Sequence, residues 1–170
     1  MAFLKRDDPV VVDTHVLAEA ARQERDSDTC LALVFVEALI QRCPRVVLSP
    51  DQVDRGGGRG ELAVALRRRG FRFPEQSTLI NKLDADGKLI RLPRSALGNL
   101  SAPAQAAFRG DGGHDNVTDD KHLYVTAIAR QTVVVTRDEH LLRRATELAK
   151  HTGTETLDPA AVLERWSSEQ

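Results

Sequence analysis

Three aspartates stand where carboxylates can do chemistry. Asp13 closes the apolar run PVVVD (residues 9–13), and Asp138 follows the run TVVV (residues 132–135) by way of Thr136 and Arg137. Asp120 opens the helical pattern that leads into that second run. Both runs read as buried strands rich in β-branched residues. In a parallel α/β sheet, ligands gather beyond the carboxyl ends of the strands. On a helix, Asp120 shares the arc of Leu123, Tyr124, Ala127 and Ile128, whereas Asp119 turns away. An inward carboxylate is costly when unpaired, and several together repel unless a cation sits among them. Mg²⁺ and Mn²⁺ suit such a group, being hard ions that prefer carboxylate and water oxygens. The spacing therefore predicts a metal centre on Asp13, Asp120 and Asp138, although each Asp taken singly also suits a helix cap.

The elements that must position these residues follow from periodicity. Strands are expected near 9–13, 45–48, 88–92, 132–135 and 154–157. A helix capped by Thr14 should bury Val16, Leu17, Ala20 and Ala21, and one over 29–42 should bury Leu31, Val34, Phe35, Ala38 and Leu39. Ser49-Pro50 starts a helical turn, and Gly70 ends a basic helix over 61–69. Further helices are expected over 75–86, 119–130, 139–150 (with Leu141, Leu142, Ala145, Leu148 and Ala149) and 159–166. Residues 95–118 carry a weak pattern. Strands alternating with helices argue for an α/β fold, a mostly parallel sheet covered on both faces. A length of 170 residues suits a single domain spanning residues 1–170.

Composition narrows the classes. No apolar run approaches the roughly 18–20 residues that span a bilayer, so a membrane partner is not expected. Charges at positions 5–8 precede only a short apolar stretch, unlike a secretory leader, and a cytoplasmic location is expected. Cys30 and Cys43 lack metal-binding spacing and read as reduced structural thiols. The net charge of −1 excludes a chain that coats nucleic acid by bulk charge, yet the charge is unevenly spread. Arg55, Arg59, Arg67, Arg68, Arg69 and Arg72 accompany a single acid, Glu61, between residues 55 and 72. Arg55, Arg59 and Arg67 are candidate contacts to a phosphate backbone; the alternative is a solvated helix face. The glycines of RGGGRG (residues 55–60) lack the Lys-Ser/Thr of a phosphate loop. Glu37 reads as a solvated residue on a mostly buried helix. His114, Asp115 and His122 fit no metal template.

Two islands resemble a known family. VVVDTHVL (residues 10–17) is similar to the opening motif of PIN domains, a hydrophobic strand followed by Asp-Thr-Asn. DDKHLYVTAIARQTVVVTRDEHLL (residues 119–142) is similar to their closing motifs, an Asp seven residues before a helical Ala and then a strand ending Thr-x-Asp. The tail LDPAAVLERW resembles the family's last strand and helix. The resemblance implies a three-layer α/β/α PIN-like fold and a metal-dependent endoribonuclease. Asp13, Asp120 and Asp138 would hold one or two Mg²⁺ or Mn²⁺ ions, and the hydroxyls of Thr14 and Thr136 would orient ligands. Many relatives are VapC-type toxins paired with a small antitoxin, and many form homodimers. His15 departs from the usual Asn. The acid expected after the second strand falls to Asp54 or Asp51, with Asp54 preferred, because Arg55 stands where Glu is usual. These departures leave open a catalytically inactive PIN-like module that binds RNA or a protein. A haloacid-dehalogenase-like phosphatase would need a second Asp at His15, and a receiver domain would need a Lys after a late strand.

Overall fold

The computed structural model describes residues 8–26, 30–42, 44–53, 60–71, 77–109 and 117–168. Five short strands, β1 (Val10–Val12), β2 (Val46–Leu48), β3 (Leu89–Arg91), β4 (Val134–Val135) and β5 (Thr156–Leu157), form one sheet in the order β3-β2-β1-β4-β5. Every pairing is parallel. Strands buried on both faces must be apolar at every position. Accordingly Val10, Val12, Val46, Leu48 and Val135 enter one core, and Val11, Val47 and Val134 enter the other.

The first core is closed by helices α1 (Thr14–Asp26), α2 (Leu31–Gln41), α4 (Glu61–Arg68), α5 (Thr78–Ala85) and α10 (Pro159–Ser168). The short helix α3 (Pro50–Val53) links β2 toward α4. The second core is closed by α6 (Ala102–Arg109), α7 (Lys121–Arg130), α8 (Glu139–Arg143) and α9 (Ala145–Thr152). The fold is thus α/β in three layers. Trp166 of α10 is fully buried, stacked on Phe35 with centroids 6.0 Å apart. Ring pairs of this kind add about 1 kcal/mol beyond burial. Among the described residues no helix is long and apolar enough to cross a membrane.

Several sequence expectations need correction. Asp13, not Thr14, caps α1: its Oδ1 accepts the His15 amide at 2.9 Å, and Thr14 is already helical. Helix α2 buries Ala32, Leu33 and Val36 with Phe35 and Leu39, while Val34 is 41% exposed. The expected face is rotated because α2 packs against α1, α5 and α10 at once. On α7, Ile128 is 40% exposed, and Thr126 is buried in its stead, its hydroxyl donating back to the His122 carbonyl at 2.7 Å. The helix expected over 139–150 breaks at Arg144, whose side chain leaves to bind the Ala107 carbonyl and Glu147. Residues 95–118 contain α6, whose Ala104 amide is met by Ser101 Oγ at 3.4 Å. Glu37 is exposed, and Cys30 is a free thiol. Cys43 lies outside the described residues.

Gly60 sets where α4 begins. A Cβ there would lie 2.3 Å from the Val53 carbonyl carbon and oxygen, so α3 and α4 meet backbone to backbone. Its φ of −56° is open to any residue, so proximity alone demands glycine. Gly60→Ala should lower stability by about 1–3 kcal/mol through overpacking, despite the gain of roughly 0.4–1 kcal/mol expected from a stiffer unfolded chain. The midpoint of urea unfolding measures this; a stabilised variant would refute the close approach.

Candidate active site

Reversal of strand order places a crevice beyond the sheet between β1 and β4, because β2 and β3 lie on one side of β1 while β4 and β5 lie on the other. Asp13 follows β1 and Thr136 follows β4 at this junction. The Asp13 amide donates to the Val135 carbonyl at 2.9 Å, and the Thr136 hydroxyl donates to Asp13 Oδ2 at 2.6 Å. The same hydroxyl accepts the Asp138 amide at 3.0 Å. Asp13 is 4% exposed, yet both its oxygens are bonded. Burial pushes the Asp13 carboxyl up, but bonds from the His15 ring, the Thr136 hydroxyl and the His15 amide hold it below the ordinary carboxylate value. His15 gains in return: contact with Asp13 raises its ring above the usual histidine range, against burial. Its Nδ1 lies 3.4 Å from Asp13 Oδ1.

A cleft of 460 Å³ opens beside Asp13, lined also by Thr14, His15, Glu61, Val64, Ala65, Arg68, Asp119 and Asp120. Asp120 ends a 3₁₀ turn (Thr118–Asp120) and stands at the start of α7, but its side chain makes no capping bond. Burial and then the charge of Asp13 push the Asp120 carboxyl up to about 7; Asp138 and Glu61 add to this, and His122 opposes it. Asp119 also lines the cleft but is exposed, whereas Asp120 is half-buried; both stand in the 3₁₀ turn before α7.

Asp138 is placed differently. Its Oδ1 caps α8, accepting the amides of His140 at 2.7 Å and Leu141 at 3.1 Å. Its charge reaches Asp120, but it does not line the cleft. Among the described residues no group of three or more Asp, Glu, His or Cys side chains is gathered closely enough to hold a metal ion as it stands.

The acid expected after β2 is not Asp51, which turns outward to pair with Arg94 at 2.7 Å. Asp54, Arg55, Arg59, Arg72, His114 and Asp115 lie outside the described residues. The inward position on α3 belongs to Gln52, fully buried. Its Oε1 accepts the Ser49 amide at 2.9 Å while Ser49 Oγ accepts the Gln52 amide at 3.2 Å, a capping box written in the sequence as Ser49-Pro50-Asp51-Gln52. The Gln52 Nε2 then donates to the Val12 carbonyl at 2.8 Å and to Thr14 Oγ1 at 3.1 Å, binding the ends of β1 and β2 together. The Thr14 hydroxyl is therefore engaged in this tie. Thr136 is wholly buried and positions Asp13 rather than meeting a ligand.

Glu61 and His122 are placed otherwise than the sequence suggests, where His122 is set with His114 and Asp115 as fitting no metal template. Glu61 appears there as the lone acid of a basic stretch, but it opens α4 inside the cleft. Glu61 Oε2 lies 3.2 Å from Nε2 of His122, whose side chain is 8% exposed. That N–H is not aligned for a good hydrogen bond, so the contact is one of charge. The His122 Nδ1 lies 2.8 Å from the Asp119 carbonyl oxygen, which can only accept, so Nδ1 carries a proton. Burial pushes the His122 ring down; Glu61, the Asp119 carbonyl and Asp120 outweigh it and raise it above the usual range. One sequence sign was available: His122 sits two residues after Asp120 at the start of the same helix, where it accompanies whatever surrounds that acid.

No known protein family, curated protein or solved structure matches the chain. The reading of the cleft rests on its own chemistry.

Asp120 provides a test of the electrostatics. A carboxyl held near 7 in the fold and at its ordinary value when unfolded favours folding fully below about pH 4, and that contribution is lost as pH rises through 7. Asp120→Asn should therefore melt above the parent at pH 8, and the gain should shrink on acidification and vanish near pH 4. A gain independent of pH would mean that Asp120 is not held in its neutral form.

Proposed function

We propose that this chain is a divalent-metal-dependent endonuclease, with RNA as substrate. One observation carries the proposal: Asp120, half-buried in the cleft with Asp13 and Glu61, has no capping bond and is held up to about 7. A carboxyl so placed either stays protonated or gains a cation. The cleft acids offer the hard oxygen donors that Mg²⁺ and Mn²⁺ prefer. As they stand these acids are not gathered closely enough to hold an ion; Asp13, Asp120 and Glu61 would have to draw together around it, with Asp138 contributing charge. The ion would activate water and offset charge building on the phosphate.

The chain's own residues do the rest. Thr136 and the His15 amide fix the Asp13 oxygens before any ligand enters, so little reorganisation is needed at the moment of reaction. His122 sets Glu61 at the cleft wall. Thr14 and Gln52 keep β1 and β2 in register behind the acids. Among the described residues the cleft's one hydroxyl, that of Thr14, is engaged by Gln52, and the nucleophile in this proposal is water. The preference for RNA, a toxin's role beside a small antitoxin, and a homodimer rest on the PIN-like motifs of residues 10–17 and 119–142 alone.

A second reading, an inactive module of the same fold that binds RNA or protein, draws on the commitment of Asp138 to capping α8. Calorimetric titration with Mn²⁺ and cleavage of a quenched single-stranded RNA separate the two. The parent should bind Mn²⁺ and cleave, with EDTA abolishing the cut. Asp120→Asn and Glu61→Gln should each cut at least roughly 10²-fold more slowly while remaining folded by circular dichroism. Absence of both Mn²⁺ binding and cleavage in the parent would establish the inactive module instead.

A further inference from the structure

Helix α4 turns a single stripe into the cleft. Glu61, Val64, Ala65 and Arg68 all line it, at the i, i+3, i+4, i+7 spacing of one helical face. The two ends of the stripe differ in sign. Glu61 lies with the acids, and Arg68 stands seven residues on, about 10 Å along the helix axis. Val64 and Ala65 give the wall between them an apolar surface.

The three consecutive arginines are therefore not equivalent. Arg69 is tied back to the protein, 3.5 Å from Glu19 and 3.4 Å from the Ala65 carbonyl. Arg67 is exposed and does not line the cleft, so the sequence expectation for Arg67 passes to its neighbour. Arg68 is exposed, lines the cleft, and makes no ion pair or hydrogen bond with the described residues. A cation in the last turn of a helix is ordinarily explained by the helix dipole. That explanation covers Arg67 equally, and only Arg68 faces the cleft.

We infer that Arg68 binds a backbone phosphate of a single-stranded polynucleotide, flanking the phosphate that meets the acids, with the intervening sugar and base lying on Val64 and Ala65. This rests on the nuclease reading and adds to it a direction for the strand along α4. The guanidinium fork matches phosphate oxygens two at a time. The acid end of the stripe repels phosphate until a cation neutralises it, so the Arg68 end gives the strand its first hold. A phosphate contact carries no base identity, so this hold is blind to sequence.

The test is binding by the full chain carrying Asp120→Asn, which suppresses cleavage, to a fluorescein-labelled single-stranded RNA of mixed sequence with Mg²⁺ present. Adding Arg68→Ala should raise Kd about tenfold, the loss expected for one charge-assisted hydrogen bond. It should also flatten the slope of log K against log salt by about 0.7, one phosphate contact on a single strand. Arg67→Ala removes the same charge from the same helical turn and should change Kd less than about twofold. Single-stranded DNA of the same sequence should lose affinity by the same factor. Equal Kd values for the Arg67 and Arg68 variants would overturn the inference and leave the nuclease reading intact. A loss confined to one base sequence would replace the phosphate contact by a base contact and also overturn it. No binding of either strand by the Asp120→Asn chain would overturn the nucleic-acid reading itself.

Discussion

The buried carboxylate of Asp13 is the constraint around which the rest is arranged. A charge removed from water survives only when its oxygens are satisfied, and Asp13 draws its donors from two directions. The His15 amide comes from the helix that follows β1, and the Thr136 hydroxyl comes from the strand beside it. Satisfying one residue thereby joins β1, α1 and β4. Thr136 extends the join to Asp138 and α8, and Gln52 extends it to β2 through Val12 and Thr14. The carboxyl end of the sheet is thus a polar lattice between two apolar cores.

The other two aspartates of the site differ from each other. Asp138 accepts two amides of α8, whereas Asp120 makes no capping bond and shares the cleft with Asp13 and Glu61. Identical side chains thus serve opposite ends: one locks a helix, and another stores repulsion that a ligand can relieve. His122 moderates that repulsion from the first turn of α7. The neighbouring helix α4 contributes both signs of charge along one face.

The three central strands of the sheet were legible in the sequence because they are apolar without interruption. VVV, VVL and VV, bounded by Pro and polar residues, admit few other readings. Asp13 and Asp120 were legible for a related reason, since one closes an apolar run and the other opens an apolar helical pattern. The fourth acid was not. Glu61 lies eight residues beyond Val53 in chain order, and only the backbone contact at Gly60 returns it to the site; no local pattern encodes a fold-back of that kind. Gln52 was hidden by the opposite fault, a search for charge where the structure uses an amide, although the Ser49–Gln52 capping box was in plain view. The faces of α2 and α7 were misjudged because their neighbours, not their own periodicity, decide what is covered.

The bond between Thr136 and Asp13 spans 123 residues of chain, and this has a consequence for synthesis. At the ribosome's pace of roughly 5–20 residues per second, Asp13 waits about 6–25 s for its partner to be made. Until then β1 lacks its neighbour β4, the Asp13 carboxylate cannot be sequestered, and the cleft does not exist. A chain interrupted before Thr136 holds the first aspartate and every arginine of α4, yet no assembled centre. Whatever the cleft does to its substrate, it does only after synthesis has passed Thr136.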